Sequence, residues 1–136
     1  MTHDEERATA ERNRQKALLV NGMTGTADDD EYLAHFNDDP TWHVNRREFR
    51  GRDGLRAVAA AVRRVFPNGV ERDVRTTVAE GDRVVIQHVN RATTATGVEY
   101  ENEYVKVFEF DPDGRIRAVW EYLDSRYAAE ILTPGP

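Results

Sequence analysis

A lysine stands among aromatic residues in the segment from Val98 to Phe110. Because side chains alternate across a strand, Lys106 shares a face with Tyr104, Phe108 and Phe110. A lysine on an aromatic face is unusual, and it needs either a partner or access to water. Two interpretations follow: Lys106 lines a cavity, or its stem is buried while the ammonium reaches the rim.

Two further side chains could transfer protons. His88 lies on the more apolar face of a second strand-like segment, either as an acid/base or as a core histidine that is hydrogen-bonded to a neighbour. Glu121 lies in the last such segment, where alternation alone would bury the face of Trp120 and expose Glu121. If Glu121 shares a cavity with Lys106, burial raises its pKa and the ammonium lowers it again. That balance could poise Glu121 for proton transfer near neutral pH.

The elements that must position these groups are helices first and strands afterwards. Helical spacing and cap residues predict helices over residues 5–21, from residue 28, and over residues 53–66, with Gly22 and Asp53 as caps. Alternation predicts a short strand at residues 41–44 and four long strands over residues 70–80, 83–95, 98–110 and 115–124. A last helical turn is predicted over residues 125–132.

This order of elements predicts one α+β domain over residues 1–136, whose last four residues form a frayed tail. Long strands twist, and a long twisted sheet curls. We therefore expect N-terminal helices packed on a strongly curved, mainly antiparallel sheet, which together enclose a cone-shaped cavity.

Composition excludes several classes of function. The 19 lysines and arginines against 25 aspartates and glutamates give a net charge of −6, which argues against partners such as nucleic acid or an anionic membrane surface. The chain has no cysteine, so disulfides and thiolate metal sites are excluded, and a cytoplasmic location is expected. The acidic run Asp28–Asp30 suits a helix start better than a metal site, since no histidine stands at ligand spacing. We expect no metal and no cofactor.

The last third of the chain carries a run of residues typical of one superfamily. It reads Tyr100-x-Asn102-x-Tyr104, then Phe108-x-Phe110, then Gly114-x-Ile116, then Glu121-Tyr122-x-Asp124. This run resembles the SnoaL-like domains of the NTF2-like superfamily, and the order of helices and turns agrees over nearly the whole chain. The resemblance implies the cone-shaped NTF2-like fold. It does not fix a reaction, because this fold carries many activities.

The enzymatic branches of the superfamily can be compared residue by residue. In the alignment with ketosteroid isomerase, Val44 and Lys106 take the places of its two functional carboxylates, so the classical isomerisation is not expected. Limonene-epoxide hydrolase has an Arg and an Asp where this chain has His88 and Asn90, and its second Asp falls at Glu121. An Asn cannot accept a proton from water, which argues against that mechanism in its usual form.

The phenazine-type members of the superfamily have a glutamate that aligns with Glu121 and serves as a general acid/base. The resemblance therefore implies that Glu121 faces the inside of the cone. It also implies that Trp120 lies on the convex side of the sheet, where such domains pair as homodimers.

The leading hypothesis is a cofactor-independent acid/base enzyme of isomerase, cyclase or dehydratase type, acting on an apolar polyketide-, terpenoid- or steroid-like molecule. Glu121 would be the acid/base, and Lys106 or His88 would stabilise an enolate or alkoxide. The residues expected to line the substrate are Trp42, Val44, Asn90, Asn102, Tyr104 and Phe108. Two alternatives stay open: a non-catalytic ligand-binding or dimerisation module, and an epoxide hydrolase-like enzyme with an altered triad.

Overall fold

The computed structural model describes residues 1–132, so the predicted tail at residues 133–136 lies outside the described residues. The helices are α1 (His3–Met23), α2 (Asp29–Leu33), α3 (Gly51–Val65) and α4 (Ser125–Leu132). The strands are β1 (Phe36–Val44), β2 (Arg47–Arg50), β3 (Glu71–Glu80), β4 (Arg83–Thr93), β5 (Glu99–Phe110) and β6 (Ile116–Leu123). The predicted α+β class is confirmed, and the predicted elements occur in the expected order.

Helix α1 begins at a side-chain cap and ends later than the sequence predicts. The Thr2 hydroxyl accepts a hydrogen bond from the backbone N–H of Glu5, which satisfies one free donor of the first turn. The prediction of Gly22 as the C-terminal cap is wrong, because the helix continues to Met23. The left-handed residue is Gly25, with φ +81°, and a Cβ there would collide with Val62.

The other two N-terminal helices start differently. Asp28 caps α2 as the acidic run predicts, because its carboxylate accepts from the backbone N–H groups of Asp30 and Glu31. The prediction that Asp53 caps α3 is wrong: that helix starts at Gly51, and Asp53 lies within its first turn. Asp53 still stabilises the positive end of the helix dipole from there.

The sheet has six strands in the order β2-β1-β6-β5-β4-β3. All neighbouring pairs are antiparallel except β1 and β6, which are parallel. The sequence predicts only residues 41–44 of β1 and misses β2, because the register of β1 shifts between Phe36 and Thr41 and breaks the alternation. The helices pack on one side of this curled, unclosed sheet, α1 over β3 and β4 and α3 over β1 and β2.

A β-bulge in β6 decides which way Glu121 points. Ile116 pairs with Phe110 and Ala118 pairs with Glu109, so Arg117 is an extra residue in the ladder. The extra residue reverses the alternation beyond it. The expectation from periodicity that Trp120 shares a face with Ile116 is therefore wrong, and Glu121 faces the helices as the resemblance implies.

Side chains on the concave face of β4, β5 and β6 form rows across the sheet. The apolar row consists of Val84, Phe108 and Val119, and all three are fully buried. The charged row lies two residues away on each strand and consists of Ile86, Lys106 and Glu121. The tyrosine row comes next and consists of His88, Tyr104 and Leu123. The hydrophobic core thus passes into ionisable groups within two residues on β5 and β6, and within four residues on β4.

The convex face of the sheet is partly apolar. Trp120 stacks on His43 there, with ring centroids 5.0 Å apart, while Val105 and Tyr122 are exposed. The homodimer expected through this face stays a prediction. Within residues 1–132, no helix combines the length and the hydropathy needed to cross a lipid bilayer. The expected cytoplasmic location is not tested by that finding.

Candidate active site

The charged row brings Lys106 and Glu121 together. The two residues are direct cross-strand partners on β5 and β6, and Lys106 Nζ lies 3.9 Å from Glu121 Oε1. Only 2% of the lysine side chain and 16% of the glutamate side chain is exposed. An ion pair so well shielded from water interacts more strongly than a surface pair, and both partners lose hydration.

Lys106 has further partners on the helix side of the interior. Its ammonium donates a hydrogen bond of 2.7 Å to Oδ1 of Asn21, which is buried at the C-terminal end of α1. The same nitrogen lies 5.7 Å from the ring centroid of Trp42, within cation–π range. Burial lowers the pKa of Lys106 from 10.5 to about 8, although Glu121 opposes that change. Lys106 therefore lies inside the cone and does not reach the rim.

The surroundings of Glu121 act in opposite directions on the pKa of its carboxyl group. Burial raises its pKa above the ordinary value of 4.5, and the positive charges of Lys106 and Arg72 lower it in part. The indole N–H of Trp42 also favours the carboxylate, although the two groups do not form a hydrogen bond of normal geometry. A carboxyl group held in this way can exchange a proton closer to neutral pH than an exposed glutamate.

His88 is fully buried one row away. Its Nδ1 lies 2.8 Å from Oδ1 of Asn90, and because a carbonyl oxygen only accepts, Nδ1 carries the proton. Burial and the charge of Lys106 lower the pKa of His88 to about 3, so the ring is neutral at pH 7. Nε2 then has a free lone pair and no partner among residues 1–132. In this tautomer His88 can accept a hydrogen bond at Nε2 but cannot donate one to an enolate.

Arg72 is a charged member of the interior that sequence reasoning missed. It lies on β3 opposite Asn90, and its Nη2 donates to the backbone oxygen of Thr24 at 2.8 Å. Its charge influences the pKa of Lys106, His88 and Glu121. The chain has 17 arginines, and nothing in the sequence around position 72 distinguishes this one.

Asn21 was missed for a different reason. The predicted helix contains it, but apolar residues do not concentrate on one side of α1, so its buried side is not obvious from composition. The buried positions are Asn13, Ala17, Val20 and Asn21. Their spacing of three and four residues is the signal that could have placed Asn21 toward the sheet.

The residues predicted to line a substrate divide into two groups. Trp42 and Val44 lie beside Val119 and Glu121 on neighbouring strands, and Trp42 is fully buried. Phe108 belongs to the apolar row and packs within the main core. Their predicted contact with a substrate stays a prediction.

Three polar members of that predicted set already have partners. The ring of Tyr104 stacks on His88, and its hydroxyl lies 2.7 Å from that of Tyr100. The Asn102 amide donates to the Tyr100 hydroxyl and to the backbone oxygen of Asp124. Asn90 accepts from His88. Asn90 therefore orients the His88 ring, and Asn102 links Tyr100 to the backbone just before α4.

Surface clefts lie away from the charged row. A cleft of 440 Å³ is lined by Asn102, Arg91 and Tyr127 among others, and four further clefts of 260 to 570 Å³ are lined by other residues. None of these five clefts is lined by Lys106 or Glu121. No group of three His, Asp or Glu side chains within residues 1–132 is arranged to ligate a metal ion.

A sequence profile of the SnoaL-like domain matches residues 20–119 of this chain. The chain belongs to the SnoaL-like domain family. The match runs from the last turn of α1 through the first half of β6, and so includes Lys106 but stops two residues before Glu121. No match was found among the curated proteins.

Solved structures of similar fold agree with that assignment. A candidate SnoaL-like polyketide cyclase from Jannaschia sp. CCS1 superposes with a TM-score of 0.81 at 17% identity, covering 94% of this chain and 96% of that one. A phenazine biosynthesis-related protein from Pseudomonas aeruginosa gives 0.79 at 19% identity, with coverages of 99% and 94%. TerC, co-crystallized with polyporic acid, gives 0.77 at 19% identity, with coverages of 90% and 99%. At these identities the likeness establishes the NTF2-like fold alone.

Proposed function

We propose that this SnoaL-like domain is a cofactor-independent acid/base enzyme of isomerase, cyclase or dehydratase type. Its substrate would be an apolar ring compound of polyketide, terpenoid or steroid type. The observation that carries the proposal is the pair of Lys106 and Glu121, held 3.9 Å apart in the interior. Perturbed ionisable groups beside one another are a recurring feature of catalytic sites.

The roles follow from the chemistry of each group. The Glu121 carboxylate would take a proton from the carbon beside a substrate carbonyl and return it to another atom. The Lys106 ammonium would stabilise the negative charge that develops on the carbonyl oxygen. His88 would accept a hydrogen bond from a substrate hydroxyl at Nε2, which is free in this structure. The aromatic rings of Trp42 and Tyr104 would orient a flat molecule.

The similar structures support the substrate class in general terms. One is a candidate polyketide cyclase, another is related to phenazine biosynthesis, and TerC was crystallized with polyporic acid. Polyketides, phenazines and polyporic acid are all small organic molecules. We infer a substrate of similar size for this chain from the shared fold and from the charged row.

The experiment that tests the proposal does not require the physiological substrate. A panel of cyclic ketones and hydroxyketones is incubated with the protein in D₂O, and exchange of the hydrogens beside the carbonyl is followed by NMR. We expect catalysed exchange with the wild type. Glu121→Gln should reduce the rate by about 10²–10⁴-fold, the usual contribution of a positioned acid/base. Glu103→Gln, an exposed carboxylate on the outer face of β5, is the matched control and should keep full activity.

The outcomes separate the proposal from its alternatives. Binding of panel members without exchange in either protein supports the non-catalytic ligand-binding module. If no panel member binds and no exchange is catalysed, the charged row is a structural ion pair in a filled core. The epoxide hydrolase-like alternative has less support, because Asn90 cannot take a proton from water and already bonds to His88.

A further inference from the structure

The interior around the charged row has more positive than negative charge. Fully buried Lys106 and half-buried Arg72 contribute two cations, and Glu121 contributes at most one anion. His88 is neutral, and the hydroxyl group of Tyr104 keeps its proton because burial raises its pKa. The balance is therefore positive whether or not Glu121 is ionised. An excess charge away from water is unfavourable unless a counter-charge pairs with it.

Hydrogen-bond donors in the same interior lack well-placed acceptors. Arg72 Nε is buried and has no partner among residues 1–132. Trp42 Nε1 interacts with the Glu121 carboxylate but forms no hydrogen bond of normal geometry with it. The Arg72 guanidinium is held in place by its bond to Thr24, so its Nε cannot easily turn to solvent. Buried donors without partners are rare in folded proteins and call for an explanation such as a bound ligand. His88 Nε2 is a third unpartnered atom, and it accepts where the others donate.

The side chains around these atoms are aromatic. Trp42 is fully buried and lies under the Lys106 ammonium, and Tyr104 stacks on His88 with ring centroids 5.3 Å apart. Each ring already has a neighbour on one face, so stacking alone does not select the ligand. An inorganic anion such as chloride would satisfy the charges but would bring no hydrogen-bond donor to His88 Nε2. The combination therefore favours an organic acid that also carries a hydroxyl group, and the ring follows from the proposed function.

We propose that this interior binds an acidic ring compound as its anion, with a carboxylate, phenolate or enolate oxygen held by Arg72, Lys106 and the indole N–H of Trp42. A neighbouring hydroxyl of the ligand donates to His88 Nε2. The inference rests on the proposed function insofar as it names the substrate class of that site. It narrows the apolar substrate expected from the sequence to one that carries an ionisable oxygen.

Salicylate and its neutral analogue salicylamide test the charge preference directly. Their dissociation constants for the wild type are measured by isothermal titration calorimetry at pH 7. We expect salicylate to bind at least tenfold more tightly. Arg72→Gln should abolish that preference, and Arg72→Lys should keep part of it because the charge is retained. Arg75→Gln is the matched control on the same strand, since Arg75 is exposed and pairs with Asp73.

Equal affinity of the wild type for the two compounds would overturn the inference, as would failure of salicylate to bind at millimolar concentration. An equal loss in Arg72→Gln and Arg75→Gln would also overturn it, by showing that surface charge sets the preference. The wild-type comparison needs no variant, so it stands even if Arg72→Gln does not fold. Tight salicylate binding without any catalysed exchange would contradict the proposed enzyme and support the anion site. Catalysed exchange without a preference for salicylate would support the proposed enzyme and contradict the anion site.

Discussion

Neighbouring rows of the same sheet differ in chemistry on β5 and β6. Phe108 and Lys106 lie two residues apart on β5 and face the same interior, yet one packs in the core and the other is a buried cation. The same step occurs on β6 between Val119 and Glu121. Phe108 and Lys106 are both fully buried, and Glu121 is largely buried beside fully buried Val119. What differs is whether burial of the side chain stabilises the fold or opposes it.

The comparison shows where the fold accepts an energetic cost. In the apolar row, burial of each side chain contributes favourable transfer free energy. In the charged row, burial of Lys106 and Glu121 requires the loss of their hydration, which the ion pair and Asn21 offset only in part. A fold that needed only stability would be served better by aliphatic residues there. Folding stability alone therefore does not explain the charged row, which agrees with the role proposed for it.

The largest expected effect is a loss of stability caused by a substitution in the apolar row. Phe108→Ala should reduce the free energy of unfolding by about 3–5 kcal/mol, because it removes a fully buried aromatic ring and leaves a cavity. Urea denaturation followed by circular dichroism measures the change. A loss below about 1 kcal/mol would show that the apolar row is not the part of the core that supports the sheet.

The next effect concerns the pH dependence of stability at Lys106. Its pKa is about 8 in the folded protein and 10.5 ordinarily, so the unfolded chain binds more protons between these values. Stability should therefore rise with pH over that window, by about 3 kcal/mol relative to Lys106→Met. Urea denaturation of both proteins from pH 7 to 10.5 measures the difference. A flat difference would mean that Lys106 reaches solvent.

A smaller effect is expected at the hydrogen bond to Asn21. Asn21→Ala removes the acceptor of a buried ammonium and should reduce stability by about 2 kcal/mol at pH 7. It should also lower the pKa of Lys106 further. Because the chain has only two lysines, the ε-methylene NMR signal of Lys106 is easily assigned. Asn13→Ala, the other buried asparagine of α1, should leave that pKa unchanged. An equal shift in both variants would count against a specific role of Asn21.

The smallest effect on folding is expected on the opposite face of the sheet. Tyr122 is 47% exposed, so Tyr122→Arg should change monomer stability by less than about 0.5 kcal/mol. If the protein pairs through the convex face, the same change should weaken the dimer, which sedimentation velocity would detect. A monomeric wild type, or a dimer that Tyr122→Arg leaves intact, would remove this face as the interface.

The sequence predicts the fold well because most of its strands and helices have regular spacing of apolar residues and end at clear turns. The four long strands and the helix starting at Asp28 are found close to their predicted places. The failures have local causes: the irregular register of β1 hides its first half, and Gly22 stands one turn too early to end α1. Alternation also misjudges Trp120, because the bulge at Arg117 reverses the pattern.

The candidate site is only partly visible in the sequence. Lys106 is recognisable as a cation among aromatics, and the resemblance places Glu121 inside the cone. Asn21 and Arg72 come from elements far away in the chain, and only the packing of α1 and β3 brings them to the charged row. The tautomer of His88 is likewise set by its contact with Asn90.

The most direct test of the account is the pKa of Glu121 itself. With ¹³C-labelled glutamate, the carboxyl signal of Glu121 is assigned by its absence in Glu121→Gln and titrated by NMR. We predict a pKa above the ordinary value of 4.5 in the wild type, because burial outweighs the nearby positive charges. In Lys106→Met the pKa should rise further. A pKa at or below 4.5 that does not respond to Lys106→Met would contradict the claim that the charged row is a poised acid/base site.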